Sequence, residues 1–187
     1  MRAIGEAIAE GRLRAVIRVV LSNRADAPGL QWAREAGIET VVLTPGEFES
    51  REAYDRALVD ALKQRGVELV CLAGFMRLVG PAVCDAFPMA ILNIHPSLLP
   101  SFPGMDAQAR ALAHGVKVSG VTVHFVTPEL DAGPIIQQAP VPVRDDDTCE
   151  TLSARILVEE HRVYPEAVQR IIDGGWRLEG RRVVIPS

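Results

Sequence analysis

The sequence predicts an α/β domain built on a doubly wound, mostly parallel Rossmann-like sheet, with an antiparallel hairpin toward its carboxyl-terminal half. Three observations carry this expectation. Helical and strand-like segments alternate through the first half of the chain. The strand-like segments there are nearly continuous apolar runs, as in sheets covered on both faces. Beyond residue 118, two strand-like runs follow each other too closely for a crossover helix. At 187 residues the chain is long enough for one well-buried core. With no repeat, linker or low-complexity stretch, one domain over 1–187 is expected.

The elements follow in order. Residues 3–10 read as helix, and Arg14–Asn23 (RAVIRVVLSN) as a buried strand. Gly29–Ala36 looks helical and stops at Gly37, suited to a left-handed cap. Ile38–Leu43 is a second strand. Ser50 opens a helix in which Tyr54, Leu58, Ala61 and Leu62 recur at helical spacing, and Gly66 ends it. Val67–Leu72 is a third strand running into Ala73-Gly74, and Ala90–Ile94 a fourth, ending at His95. Gly120–Val126 and Pro134–Val143 form the hairpin. Asp147 with Glu150 suits a capping box for a helix reaching about Arg162. Arg177–Ile185 fits a small hairpin turning at Glu179-Gly180.

Composition narrows the function classes. Twenty Lys and Arg against 24 Asp and Glu give a formal net charge of −4, which offers no basis for a nucleic-acid groove or an anionic membrane surface. No apolar run approaches the roughly 18–20 residues that span a bilayer. The opening MRAIGEAIAEGRL has two acids and no apolar block, unlike a secretory signal. Cys71, Cys84 and Cys149 are odd in number and widely spaced, suggesting neither a disulfide framework nor a zinc site. The histidines His95, His114, His124 and His161 are scattered as well. No metal and a cytoplasmic setting are expected.

The densest segment is Asn93-Ile94-His95-Pro96, followed by Ser97-Leu98-Leu99-Pro100. Residues two apart on a strand face the same side, so Asn93 and His95 project together at a strand end. Ligands in open α/β sheets bind at that end. An amide donor beside an imidazole suits a reaction that builds negative charge on a carbonyl oxygen, and a protonated ring can deliver a proton. Either residue alone also fits a purely structural role. Asp131, in Leu130-Asp131-Ala132-Gly133-Pro134, reads as a turn residue bonding its own backbone, or as a carboxylate reaching His95. His124, inside an alternating strand, reads as a packed or hydrogen-bonded sheet histidine. Gly74-Phe75-Met76-Arg77-Leu78-Val79 follows a buried strand; it either cradles a planar heterocycle or is a turn whose aromatic plugs the core.

Taken together, SNRADAPGL, SREAYDRAL, LAGFMRLV, LNIHPSLLPSFPG, GVTVHFVTPELDAGPIIQQAPVPV and EEHRVYPEAVQRI resemble the folate-dependent phosphoribosylglycinamide formyltransferase family over essentially the whole chain. The resemblance implies transfer of a formyl group from 10-formyltetrahydrofolate to the amine of glycinamide ribonucleotide, in purine synthesis. Small-molecule substrates are its implied partners, with the protein a monomer or homodimer. By position, Asn93, His95 and Asp131 match the family's catalytic residues. Arg51, Phe75, Met76, Arg77, Leu78 and Val79 match folate contacts, as do Asn93, Thr127, Pro128 and Glu129, with Arg51 near the glutamate tail. Gly74, Pro96 and Glu160 match the ribonucleotide pocket.

Two departures accompany the match. The family begins with a strand and a Gly-rich phosphate-gripping turn, whereas this sequence starts at the helix after them. Asp106-Ala107-Gln108 occupies a stretch where many relatives carry histidine. A central strand's absence would leave unpaired backbone on two neighbours, at about 1–3 kcal/mol per buried unsatisfied group. The expectation is therefore a gap in the sheet and roughly 15–20 further residues at the amino end, since a first central strand and its turn have that length. Three other activities share the core: a formyltetrahydrofolate hydrolase, which would show an added regulatory domain, transfer to aminoacylated tRNA, which would show a basic carboxyl-terminal domain, and a catalytically silent folate-binding module.

Overall fold

The computed structural model describes residues 1–185. In chain order its elements are α1 (Arg2–Ala9), β1 (Val20–Ser22), α2 (Pro28–Glu35), β2 (Thr40–Val42), α3 (Arg51–Lys63), β3 (Val70–Leu72), α4 (Pro81–Ala86), β4 (Ile91–His95), α5 (Ala107–His114), β5 (Val118–Phe125), β6 (Ile135–Pro142), α6 (Cys149–Asp173), β7 (Arg177–Glu179) and β8 (Arg182–Val184). This is the α/β architecture expected, with parallel pairs β1–β2 and β3–β4 and an antiparallel β4–β5–β6 run. The terminal hairpin β7–β8 joins through β8 to β6.

The ladders form two sheets rather than one. The first is β1–β2, the second runs β3–β4–β5–β6–β8–β7, and no ladder joins β1 to β3 among the described residues. Between them lies a trench of about 840 Å³, walled by residues such as Ile17, Val19, Leu69 and Cys71. The trench accounts for one difference from the sequence expectation. Of the predicted strand Arg14–Asn23, only Val20–Ser22 pairs; the preceding residues have no neighbouring strand, and Val16 stands 74% exposed. A strand is defined by its partner as much as by its own β propensity.

The main core lies under the antiparallel run. Leu92, Val121, Val123 and Phe125 pack against Ile4 and Ala7 of α1 and against Val163, Ala167 and Val168 of α6. Burying such side chains contributes roughly 1.5–3 kcal/mol each. A second cluster, around Leu62, Val83, Phe87 and Ile91, seals α3 and α4 to the opposite face of β3 and β4.

Two expectations about α6 are corrected. The capping box is formed by Thr148 and Thr151, not by Asp147 and Glu150. Asp147 is instead engaged by the Arg155 guanidinium, which holds its carboxyl well below the usual carboxylate range. The helix also continues past Arg162 to Asp173, through Pro165. Proline there removes one i→i−4 bond and is normally a breaker. Buried Val163, Tyr164, Ala167 and Val168 hold it in place by packing.

Candidate active site

The site grows from the register of β4 against β5. Asn93 pairs with His124 and His95 with Thr122, while Leu92 pairs with Phe125 and Ile94 with Val123. Alternation then gives the two-stranded unit one polar face and one apolar face. The apolar face is the main core. The polar face carries Asn93, His95, Thr122 and His124 at the end of the sheet where β3 and β4 finish.

Asp131 closes this face from the other side. It sits in the connection between β5 and β6 with φ +48°. That is the left-handed region, which Asp tolerates better than most residues. Its Oδ2 accepts a hydrogen bond from the Gly104 N–H at 2.7 Å and lies 3.4 Å from His95 Nδ1, while Oδ1 lies 3.7 Å from His124 Nε2. Gly133 makes this approach possible, because a Cβ there would overlap the Phe125 carbonyl oxygen. Asn93, His95 and Asp131, singled out from the sequence, therefore converge.

His124 is the packed, hydrogen-bonded sheet histidine expected, and it also orders Asn93. It is buried, and its Nδ1 lies 2.8 Å from the Phe125 carbonyl, a partner that requires Nδ1–H. Nε2 is then the acceptor for the Asn93 amide Nδ2 at 3.3 Å. Burial, opposed in part by the Phe125 carbonyl and Asp131, lowers its basicity below that of an ordinary histidine. A neutral His124 thus fixes the Asn93 amide, leaving one N–H free. Its signal in the sequence was parity, since Thr122 and His124 share a face.

His95 is also enclosed. Its Nε2 lies 2.9 Å from the Phe102 carbonyl, so both ring nitrogens face acceptors. The loop after Pro96 that supplies this carbonyl is tied down by Ser97, whose hydroxyl donates to the Ser101 carbonyl at 2.5 Å. Thr122 extends the anchoring, donating to the Ser97 carbonyl at 2.7 Å and accepting from the Leu99 N–H at 3.0 Å.

The remaining sequence-selected residues lie on other segments. The segment Ala73–Val79 leaves β3 with Gly74 at φ +67°, exposing Met76 and Leu78. Arg51, at the start of α3, donates from Nη2 to the Leu78 carbonyl at 3.1 Å. Thr127, Pro128 and Glu129 form an open loop beside Asp131, where Thr127 Oγ1 contacts the Glu129 carbonyl at 3.4 Å. Glu160 stands on α6 one turn before Tyr164, whose hydroxyl lies 2.8 Å from the Leu72 carbonyl and 3.0 Å from that of Leu92. Burial raises the Glu160 carboxyl, opposed by the Met1 amino group. Cys71 is nearby and inert, its thiol pushed up to about 11 by burial. No cluster of three or more metal-ligating side chains occurs among the described residues.

A doubly wound sheet with an Asn–His–Asp cluster at its strand ends defines a class, and comparison agrees with it: the family described as formyl transferase matches residues 1–168, and the chain belongs to that family. Within it, the chain is 44% identical over 178 residues to phosphoribosylglycinamide formyltransferase of Escherichia coli, covering 95% of this chain and 84% of the relative. The crystal structure of glycinamide ribonucleotide transformylase 1 from Symbiobacterium toebii superposes with a TM-score of 0.98 at 55% identity, covering all of this chain and 88% of that one. A formyltetrahydrofolate deformylase from Pseudomonas syringae shares the fold at a TM-score of 0.89 but only 27% identity, and the chain covers 61% of it. The hydrolase alternative is accordingly not favoured.

Proposed function

We propose that this enzyme transfers the formyl group of 10-formyltetrahydrofolate to the amine of glycinamide ribonucleotide, a step of purine synthesis. The observation that carries the reading is the convergence of Asn93, His95 and Asp131 on one polar strand end, in a chain whose relatives bear that activity. The folate acts as a co-substrate. The Ala73–Val79 segment suits it, because its main chain forms no backbone ladder and Met76 and Leu78 offer apolar surface. In this reading Arg51 and the 127–129 loop contact the folate as well, and Gly74, Pro96 and Glu160 contact the ribonucleotide.

The substrate amine attacks the formyl carbon, and negative charge builds on the formyl oxygen. The free N–H of Asn93 is preset to receive it, which supplies stabilisation without reorganisation. His95 becomes a second donor when substrate replaces the Phe102 carbonyl at Nε2. Asp131 balances the charge on the ring and holds its plane, and water relays the amine proton to the departing folate nitrogen. Three thiols without disulfides suit a cytoplasmic enzyme.

Substitution is the direct test. His95→Ala and Asp131→Ala are expected to lower kcat by about 10²–10⁴-fold, the usual range for lost acid–base assistance, while folate affinity changes far less. Wild-type turnover in either variant overturns these roles. Equal release of formate with and without ribonucleotide would identify hydrolysis instead.

A further inference from the structure

The segment between β3 and α4 has no main-chain to main-chain hydrogen bond across Ala73–Val79 among the described residues. Something other than a ladder must hold its shape. One stripe of α3 does so, at the spacing where helix residues three and four apart share a face. Arg51 Nη2 donates to the Leu78 carbonyl at 3.1 Å. The Tyr54 ring, itself buried, lies 5.4 Å beneath the Arg77 guanidinium. Leu58 packs in the same cluster as Val79 and Val83.

Asp55 is the unexplained member of this stripe. It is a carboxylate only 6% exposed, and its one ion-pair neighbour among the described residues, the Arg51 Nε, is 4.0 Å away. Burial raises its carboxyl, opposed by Arg51 and Arg77. Its carboxylate occupies the space that a Cβ at residue 80 would need, and position 80 is Gly80, the N-cap of α4. Gly80 has φ −74°, so no left-handed backbone calls for glycine here. What calls for it is the carboxylate.

We propose that Asp55 is a positioning residue for formyl-folate binding: seated against Gly80 and beside Arg51, it fixes where the Ala73–Val79 turn ends. Neither residue touches the folate in this account. The proposal rests on the reading that this turn receives the folate. A buried carboxyl group is retained at a cost, and here it places a segment that has no ladder of its own.

The experiment compares Asp55→Asn, Asp55→Ala, Gly80→Ala and the double variant Asp55→Ala/Gly80→Ala, reading the Kd for 10-formyltetrahydrofolate, kcat and Tm. Gly80→Ala is expected to raise Kd roughly tenfold or more, as displaced positioning elements do, with kcat changed by less than about threefold. The double variant should bind more tightly than Gly80→Ala alone, because removing the carboxylate frees the space. Asp55→Asn, which keeps the shape, should stay within about threefold of wild type, whereas Asp55→Ala should not. Additive losses in the double variant, or unchanged folate Kd in Gly80→Ala, overturn the proposal. Met76→Ala/Leu78→Ala separates the two layers of the argument. If that pair leaves Kd unchanged, the turn is not the folate site; if it weakens binding while the Asp55 and Gly80 set does not, only the positioning role falls.

Discussion

At the scale of single residues, the site depends on keeping a histidine neutral. His124 is enclosed with Nδ1 toward a carbonyl and Nε2 toward an amide, and protonating Nε2 would set two donors against each other. Its folded-state pKa lies below the ordinary 6.5, so the unfolded chain takes up the proton first as pH falls. The stability that neutral His124 contributes is therefore complete above that value and lost beneath it. Melting curves at about pH 7.5 and about pH 5.5, on either side of the ordinary histidine value, should show wild type losing more Tm than His124→Gln. Equal losses would remove His124 as the titrating group. Some of this was legible in the sequence. Asn93 and His95 share a face by strand periodicity alone. The contact of Asp131 with His95 was one of two readings of a turn aspartate, settled toward the site by the family resemblance, whereas the hold of His124 on Asn93 was not legible, because it depends on a partner far away in the chain.

At the scale of elements, α3 links a local cap to the folate side of the site. Ser50 accepts from the Ala53 N–H at 3.1 Å, in the N-cap role its sequence position suggested. Ser50→Ala should cost about 1 kcal/mol of stability, as N-cap losses do. Because fraying would begin at Arg51, folate Kd should weaken as well. A loss of stability with unchanged Kd would mean the first turn of α3 is not needed for binding. The ends of helices were legible where caps are local, at Gly37, Ser50 and Gly66. They were illegible for α6, because Pro165 is tolerated only through buried neighbours on β4, β5 and α1.

At the scale of the whole molecule, the trench between β1 and β3 leaves two strand edges facing each other without a ladder. An extended apolar segment running parallel to both edges is expected to fill it. Adding such a strand with a Gly-rich turn should raise Tm, slow amide exchange in Val20–Ser22 and Val70–Leu72, and tighten ribonucleotide binding, since that turn would present N–H groups at the start of α1. Unchanged exchange at both strands would show that the trench does not accept a strand. The alternation of elements was legible from periodicity, whereas the division into two sheets was expected from the family resemblance alone. Strand lengths were overstated on the same account.

The pairing of β4 with β5 also makes activity a report on alignment. With Asn93 opposite His124 and Leu92 opposite Phe125, a shift of one residue would turn Leu92 and Ile94 toward substrate and drive an amide and an imidazole into hydrocarbon. The same two strands thus spell both the oily interior and the reactive surface in alternate letters. A misaligned chain would forfeit both at once, so turnover per molecule counts correctly threaded copies more directly than any measure of secondary-structure content.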